Sequence, residues 1–308
     1  MIVKIAHYNF FLLLFLCLFL ISCDDLLNYS DLEYSNDSEL NSEKGFLKEY
    51  YEMLEKRKLS FGLLRQDGGG DDTPFDTEDI ITSFQQLAFY TEYNVSDNKL
   101  MPSSSSVNLA KWKSDIIISS EFGSSLSNKE KEKDLAHINA VSDILSKATG
   151  IKINFSNQNP NMHIIVGNEI ELPELINKIS LNLSDFDPKI FPLISQLPKD
   201  IHCITLTALK SKLNPEIVSA LVIIRNELPK LLRKACFHEE MAQSLGLSND
   251  SHLARPSIFN DDDEFATLTE FDEILLKILY DERLETGMTL RNSSEILRTI
   301  ANEIDTSI

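Results

Sequence analysis

The chain has 308 residues, 43% of them hydrophobic and 25% charged, fractions that exclude collagenous, mucin-like and wholly disordered proteins. At roughly 100–200 residues per domain, this length holds one large domain with appendages or two small ones. The formal net charge of −19 sets up a field that repels phosphate backbones, which argues against nucleic acid as a partner.

Lys4 precedes an unbroken apolar run of twelve residues, Phe10 to Ile21. A spanning helix needs about 20 such residues, so the run reads as the apolar core of a signal peptide covering residues 1–22. It ends Leu20-Ile21-Ser22-Cys23, which resembles the bacterial lipobox. The alternative is a non-lipidated secretory signal, with Cys17 and Cys23 incidental. The lipobox resemblance implies a mature chain that begins at lipidated Cys23, held in the cell membrane by acyl (palmitate-type) chains and facing the periplasm or exterior. Each buried methylene contributes about 0.8 kcal/mol, so two or more chains anchor stably. Loss of Lys4 leaves 28 basic and 48 acidic residues, a charge of −20, so the acyl chains and not electrostatics must hold the membrane. Asp24 resembles the inner-membrane retention signal of some diderm bacteria.

Residues 24–48 carry seven acids and two lysines and read as a solvated stretch. Phe46 to Leu64 suits a short helix, and Gly68-Gly69-Gly70 with Pro74 then interrupts regular structure. Residues 23–74 are thus assigned to an acidic flexible tether and residues 75–308 to one domain. Asp76 offers an N-cap to a helix whose face is Ile80, Ile81, Phe84, Leu87 and Ala88. Asn98 to Asn108, with four consecutive serines, reads as a loop. Trp112 to Ser119 reads as a strand, followed by an amphipathic helix over 129–149 that Gly150 ends. Strands are expected at 151–155 and 162–166, short helices and loops over the proline-rich 170–200, and strands at 201–206 and 217–225. A long helix over 229–245 follows, with Gly246 just past its end. After a loop, Thr269 as N-cap with Asp272 at N3 opens another helix, marked by Phe271, Ile274, Leu275, Ile278 and Leu279, and 295–304 suits a terminal one. The irregular alternation predicts an α+β fold with a mixed sheet.

Chemistry concentrates at Cys236-Phe237-His238-Glu239-Glu240-Met241-Ala242-Gln243, followed by Gly246, Asn249 and Asp250. Zincin helices place two ligands at i and i+4, with a general-base Glu beside the first. Taking His238 as first ligand puts donor-less Ala242 at the second position, so that register fails. Taking Glu239 first makes Glu240 the base, with Gln243 at i+4, Gly246 at i+7 and Asn249 at i+10. The metal ligands would then be Glu239, Gln243 and Asn249, a harder and weaker set for zinc than imidazoles. The plainer alternative is a helix whose Met241, Ser244 and Leu245 pack while Glu239, Glu240 and Gln243 face water.

These blocks, with Arg255-Pro256-Ser257-Ile258-Phe259-Asn260-Asp261-Asp262, Leu268-Thr269-x-x-Asp272 and Leu279-Tyr280-Asp281-x-Arg283-Leu284-x-x-Gly287-Met288, resemble domain of unknown function 2927. Its members are secreted bacterial proteins sometimes labelled predicted zinc-dependent proteases. Glu282 and Thr286 depart from the pattern, where Pro is usual. The resemblance implies a zincin-like mixed sheet packed with helices, with similarity over most of residues 76–300.

Ser257 to Glu264 lacks the residue order of an EF-hand and reads as a solvated acidic loop. His137, His163, His202 and His252 have no ligand-like spacing. Cys203 and Cys236 are the two thiols left once the signal is removed and Cys23 is acylated, and an exported pair favours a disulfide. Two functional readings result. One is a lipid-anchored envelope protein with a degenerate zincin-like domain that binds a protein or cell-wall partner. The other is a secreted metal-dependent protease, with zinc as cofactor and Glu240 as general base.

Overall fold

The computed structural model describes residues 36–96 and 99–305. Residues 1–35, which include the segment read as a signal peptide and Cys23, lie outside the described residues.

The first helix, α1 (Asn36–Ser60), occupies much of the segment read as a tether. It buries Leu47 and Tyr51, and the Tyr51 hydroxyl donates to the Lys199 carbonyl at 2.8 Å. Further on, the Leu64 and Arg65 amides donate to the carbonyls of Asp263 and Glu264. The packed body therefore starts well before Phe75, through contacts with residues more than a hundred positions away.

Helix α2 (Thr77–Ala88) starts as its acids dictate: Asp76 accepts from the amides of Glu78 and Asp79, and Asp79 reciprocates to the Asp76 amide. Its apolar face is the one read from the sequence. Strands β1 (Tyr90–Ser96) and β2 (Lys99–Ser106) then form an antiparallel hairpin. This overturns the loop expected over 98–108. The serine-rich β2 is mostly exposed, so no apolar alternation marks it, and backbone pairing alone makes the strand.

The main sheet takes β3 (Lys111–Trp112), β4 (Ile116–Phe122), β5 (Ile153–Phe155), β6 (Met162–Gly167), β7 (Cys203–Leu209) and β8 (Glu216–Arg225). Strand β6 lies between β4 and β8, parallel to both, and β5 flanks β4. The short β3 runs parallel to the start of β8. Strand β7 runs antiparallel along the opposite side of β8 and forms the sheet's edge. The fold is α+β with a mixed sheet, as the irregular element order implies.

Helix α3 (Asn128–Thr149), capped by Ser127 and Glu130 and ended by left-handed Gly150, joins β4 to β5. Helices α4 (Leu172–Ser180) and α5 (Ile190–Ile194) join β6 to β7, and α6 (Lys230–Gln243) follows β8. Alternation along β8 divides the core. Ala220, Val222 and Ile224 pack with α3 and α6, while Leu221 and Ile223 pack with α4 and α5. Helix α7 (Glu270–Leu279) carries the Thr269–Asp272 capping box expected for it, and α8 (Leu290–Asp305) closes the chain. The buried Asp272 also accepts from Ser257 Oγ at 2.5 Å and the Ile258 amide at 3.1 Å. Ser257, Ile258, Phe259 and Asn260 are consequently buried. Only the following acids of this loop, Asp261 and Asp262, are exposed as expected.

Candidate functional site

Helix α6 is held at both ends by other parts of the chain. Its N-cap, Pro229, supplies no side-chain acceptor. Glu55 of α1 supplies it instead, its Oε2 accepting from the amides of Leu231 at 3.1 Å and Leu232 at 3.0 Å. A carboxylate there also suits the positive end of the helix dipole. Along the flank, Cys236 is disulfide-bonded to Cys203 of β7, with Cα atoms 6.0 Å apart. Thr205 of the same strand donates to the Glu240 carbonyl at 2.7 Å.

The C-terminal carbonyls, which have no partner within a helix, are each accounted for. Ser244 Oγ donates to the Met241 carbonyl and the Gly246 amide to that of Gln243. Trp112 Nε1 reaches the Ser244 carbonyl at 2.8 Å, and the Tyr280 hydroxyl reaches that of Leu245 at 3.0 Å. Gly246 then turns the chain at φ +120°, where a Cβ would lie 2.2 Å from the Ala110 carbonyl oxygen. Only glycine fits this turn. The chain beyond it is pinned: Ser248 Oγ donates to the Tyr90 carbonyl, and Asn249 Nδ2 to that of Gln86.

The turn returns Asp250 to the helix, where it accepts from Gln243 Nε2 at 2.9 Å. Glu239, Glu240, Asn249 and Asp250 line one cleft of about 590 Å³, together with Glu92 and Tyr93 of β1 and residues Asp200 to Cys203 leading into β7. Carboxylate oxygens of Glu239 and Glu240 and the Cys203 sulfur all lie within 4.8 Å of one another. Burial pushes the carboxyls of Glu239, Glu240 and Asp250 well above their ordinary range, and repulsion among the acids adds to it. Glu92, for the same first reason, is pushed up to about 7. Glu240 is only 4% exposed, and its Oε2 has no hydrogen-bond partner. Lys58 opposes the push on Glu239, but its ammonium is already paired with Asp263.

The residues singled out from the sequence thus share a neighbourhood, in altered roles. Gln243 is buried and bonds Asp250, and Asn249 is anchored to α2 while bordering the cleft. His238 is turned away, its Nδ1 accepting the Leu268 amide at 3.3 Å, and burial pushes its pKa down to about 4. Glu92 has no counterpart among the sequence candidates, because β1 lies between the helix ending at Ala88 and the loop expected over 98–108, a stretch that carries no element signal. The plain-surface alternative fails for Glu240 and Gln243, both buried.

Zinc does not fit this donor set. It prefers nitrogen and sulfur, whereas α6 brings only the carboxylates of Glu239 and Glu240 to the cleft, the neighbouring sulfur is locked in a disulfide, and the imidazoles that border the cleft, His202 and His252, lie outside the motif helix. A larger cavity of about 940 Å³ lies at the other end of α6. There charges of both signs meet, as in Arg233–Asp134 at 3.4 Å, whereas the lining of the acidic cleft carries no lysine or arginine.

The comparisons agree with the motif. No match was found among curated proteins or among solved structures. The family model described as protein of unknown function (DUF2927) matches residues 77–299, a span that holds every element from α2 into α8 and the entire lining of the cleft. The chain belongs to the DUF2927 family.

Proposed function

We propose that this is a lipid-anchored envelope protein whose zincin-like domain binds an extended, cationic segment of a protein or cell-wall partner, and does not cut it. The observation that carries the reading is an acidic cleft beside a strand edge with which no described strand pairs. Strand β7 pairs with β8 on one side, and no described strand pairs with its other side. The lead-in to that strand lines the cleft beside Glu239 and Glu240. An exposed edge accepts main-chain hydrogen bonds from an added strand, and one sign of charge at its end selects the opposite sign in the ligand. The zincin-like description rests on the motif helix, its glycine turn and the antiparallel strand beside it. A motif helix that turns no imidazole to the cleft lacks the i, i+4 histidine pair on which a peptidase of that type holds its zinc.

The metal-dependent protease remains as the second reading because Glu240 is buried beside the cleft with one oxygen unpartnered, as a poised base would be. One experiment separates the two. The full chain in detergent is mixed with lysine-rich and glutamate-rich extended peptides, and with an unfolded protein in the presence of zinc. The binding reading expects affinity for the lysine-rich peptide that falls with salt and weakens in Glu92→Lys, with no cleavage. Cleavage abolished by Glu240→Gln establishes the protease instead.

A further inference from the structure

We propose that the cleft is a site for a hard divalent cation of the calcium type, bound by the carboxylates of Glu239 and Glu240 with Asp250 and Glu92 completing the negative field. Three observations converge on it. First, the Glu239 and Glu240 oxygens already approach within 4.8 Å, the separation of two ligands on one ion. Second, Glu240 lines the cleft and its Oε2 is buried without a hydrogen-bond donor, which an isolated buried carboxylate tolerates only if something positive or a proton meets it. Third, the cationic side chain next to these acids, Lys58, is spent on Asp263.

The donors decide the ion. Carboxylate oxygens suit calcium, magnesium and manganese, and calcium accepts irregular sets of six to eight oxygens with waters filling the remainder. An open cleft of about 590 Å³ has room for those waters. Magnesium demands a near-ideal octahedron and zinc wants nitrogen or sulfur, so neither matches this arrangement as well. Glu92 arrives through the strand hairpin and Asp250 through the Gly246 turn, so the full set of four acids exists only in the folded chain. Cation titration needs no peptide, and loss of the partner reading would leave this site standing.

The test uses the full chain in detergent, stripped with a chelator and titrated calorimetrically with calcium, magnesium or zinc. The expected result is one calcium per chain, bound in preference to the other two ions and weakened about tenfold or more in Glu240→Gln and in Glu239→Gln. Should those buried variants fail to fold, Glu92→Gln, at a half-buried position of β1, is expected to weaken calcium several-fold, while Glu132→Gln on the outer face of α3 leaves it unchanged. No calcium uptake, a preference for zinc or magnesium, or equal affinity in Glu92→Gln and the wild type would overturn the assignment.

Discussion

Replacing Gly246 by alanine probes the turn that brings Asp250 back to α6. At φ +120° the new residue sits outside the conformations that L side chains adopt, a penalty of about 1–3 kcal/mol. Its Cβ would also stand 2.2 Å from the Ala110 carbonyl oxygen and 3.3 Å from Leu279 Cδ2. The first of these neighbours is backbone and cannot step aside alone. Ala110 leads into Lys111, whose ammonium donates to the carbonyls of Leu279 and Asp281, and into Trp112, which holds the Ser244 carbonyl. Moving that strand strains buried hydrogen bonds, so overpacking adds about 1–3 kcal/mol. The sum, about 2–6 kcal/mol, is a large part of the 5–15 kcal/mol by which domains are stable. Gly150→Ala is the control, since Gly150 has φ +74° and nothing within 4 Å and should lose only about 1–2 kcal/mol. Urea unfolding at constant slope reads both. A Gly246→Ala protein no less stable than Gly150→Ala would refute the account of the turn.

Cys23→Ser should leave the chain out of the membrane fraction with its signal unprocessed as a lipoprotein; quantitative membrane retention with unchanged processing contradicts the anchor. Removing the Cys203–Cys236 bond, which spans 33 positions, should cost about 3–4 kcal/mol by loop entropy, read as a shifted urea midpoint; a shift under about 1 kcal/mol would count against it. His202 has its pKa pushed down to about 4, first by burial, against an unfolded value near 6.5. The native state therefore binds fewer protons than the unfolded chain over that window, so the stability His202 contributes is intact above pH 6.5 and lost as pH falls to about 4. His202→Gln should remove up to about 3 kcal/mol of that loss; parallel pH profiles for the two proteins would show the reasoning to be wrong.

Local signals read well from the sequence and long-range ones did not. Asp76, Gly150 and the Thr269–Asp272 pair marked helix ends because capping is chemistry among neighbours. The isoleucine and valine runs of β4, β6 and β8 marked buried strands for the same local reason. The Cys203–Cys236 bond followed from a count of thiols, and the structure contains it. By contrast, Glu55 caps a helix 176 positions away, and no pattern near either residue announces it. The hairpin of β1 and β2 was missed because exposed serines leave no alternation, and Glu92 was lost with it. Within the motif, the helix, the glycine turn and the carboxylate pair were legible. That Gln243 serves Asp250, and that His238 turns to Leu268, depends on packing that spacing alone does not contain.

The central claim is that the carboxylate pair Glu239 and Glu240 of the motif helix holds a hard cation. Crystals of the protein soaked in manganese, a hard ion that accepts carboxylate ligands, test it through the anomalous signal. The account predicts one strong peak in the cleft, in contact with the carboxylates of both Glu239 and Glu240. An empty cleft under those conditions, or a peak held by other residues, would contradict it.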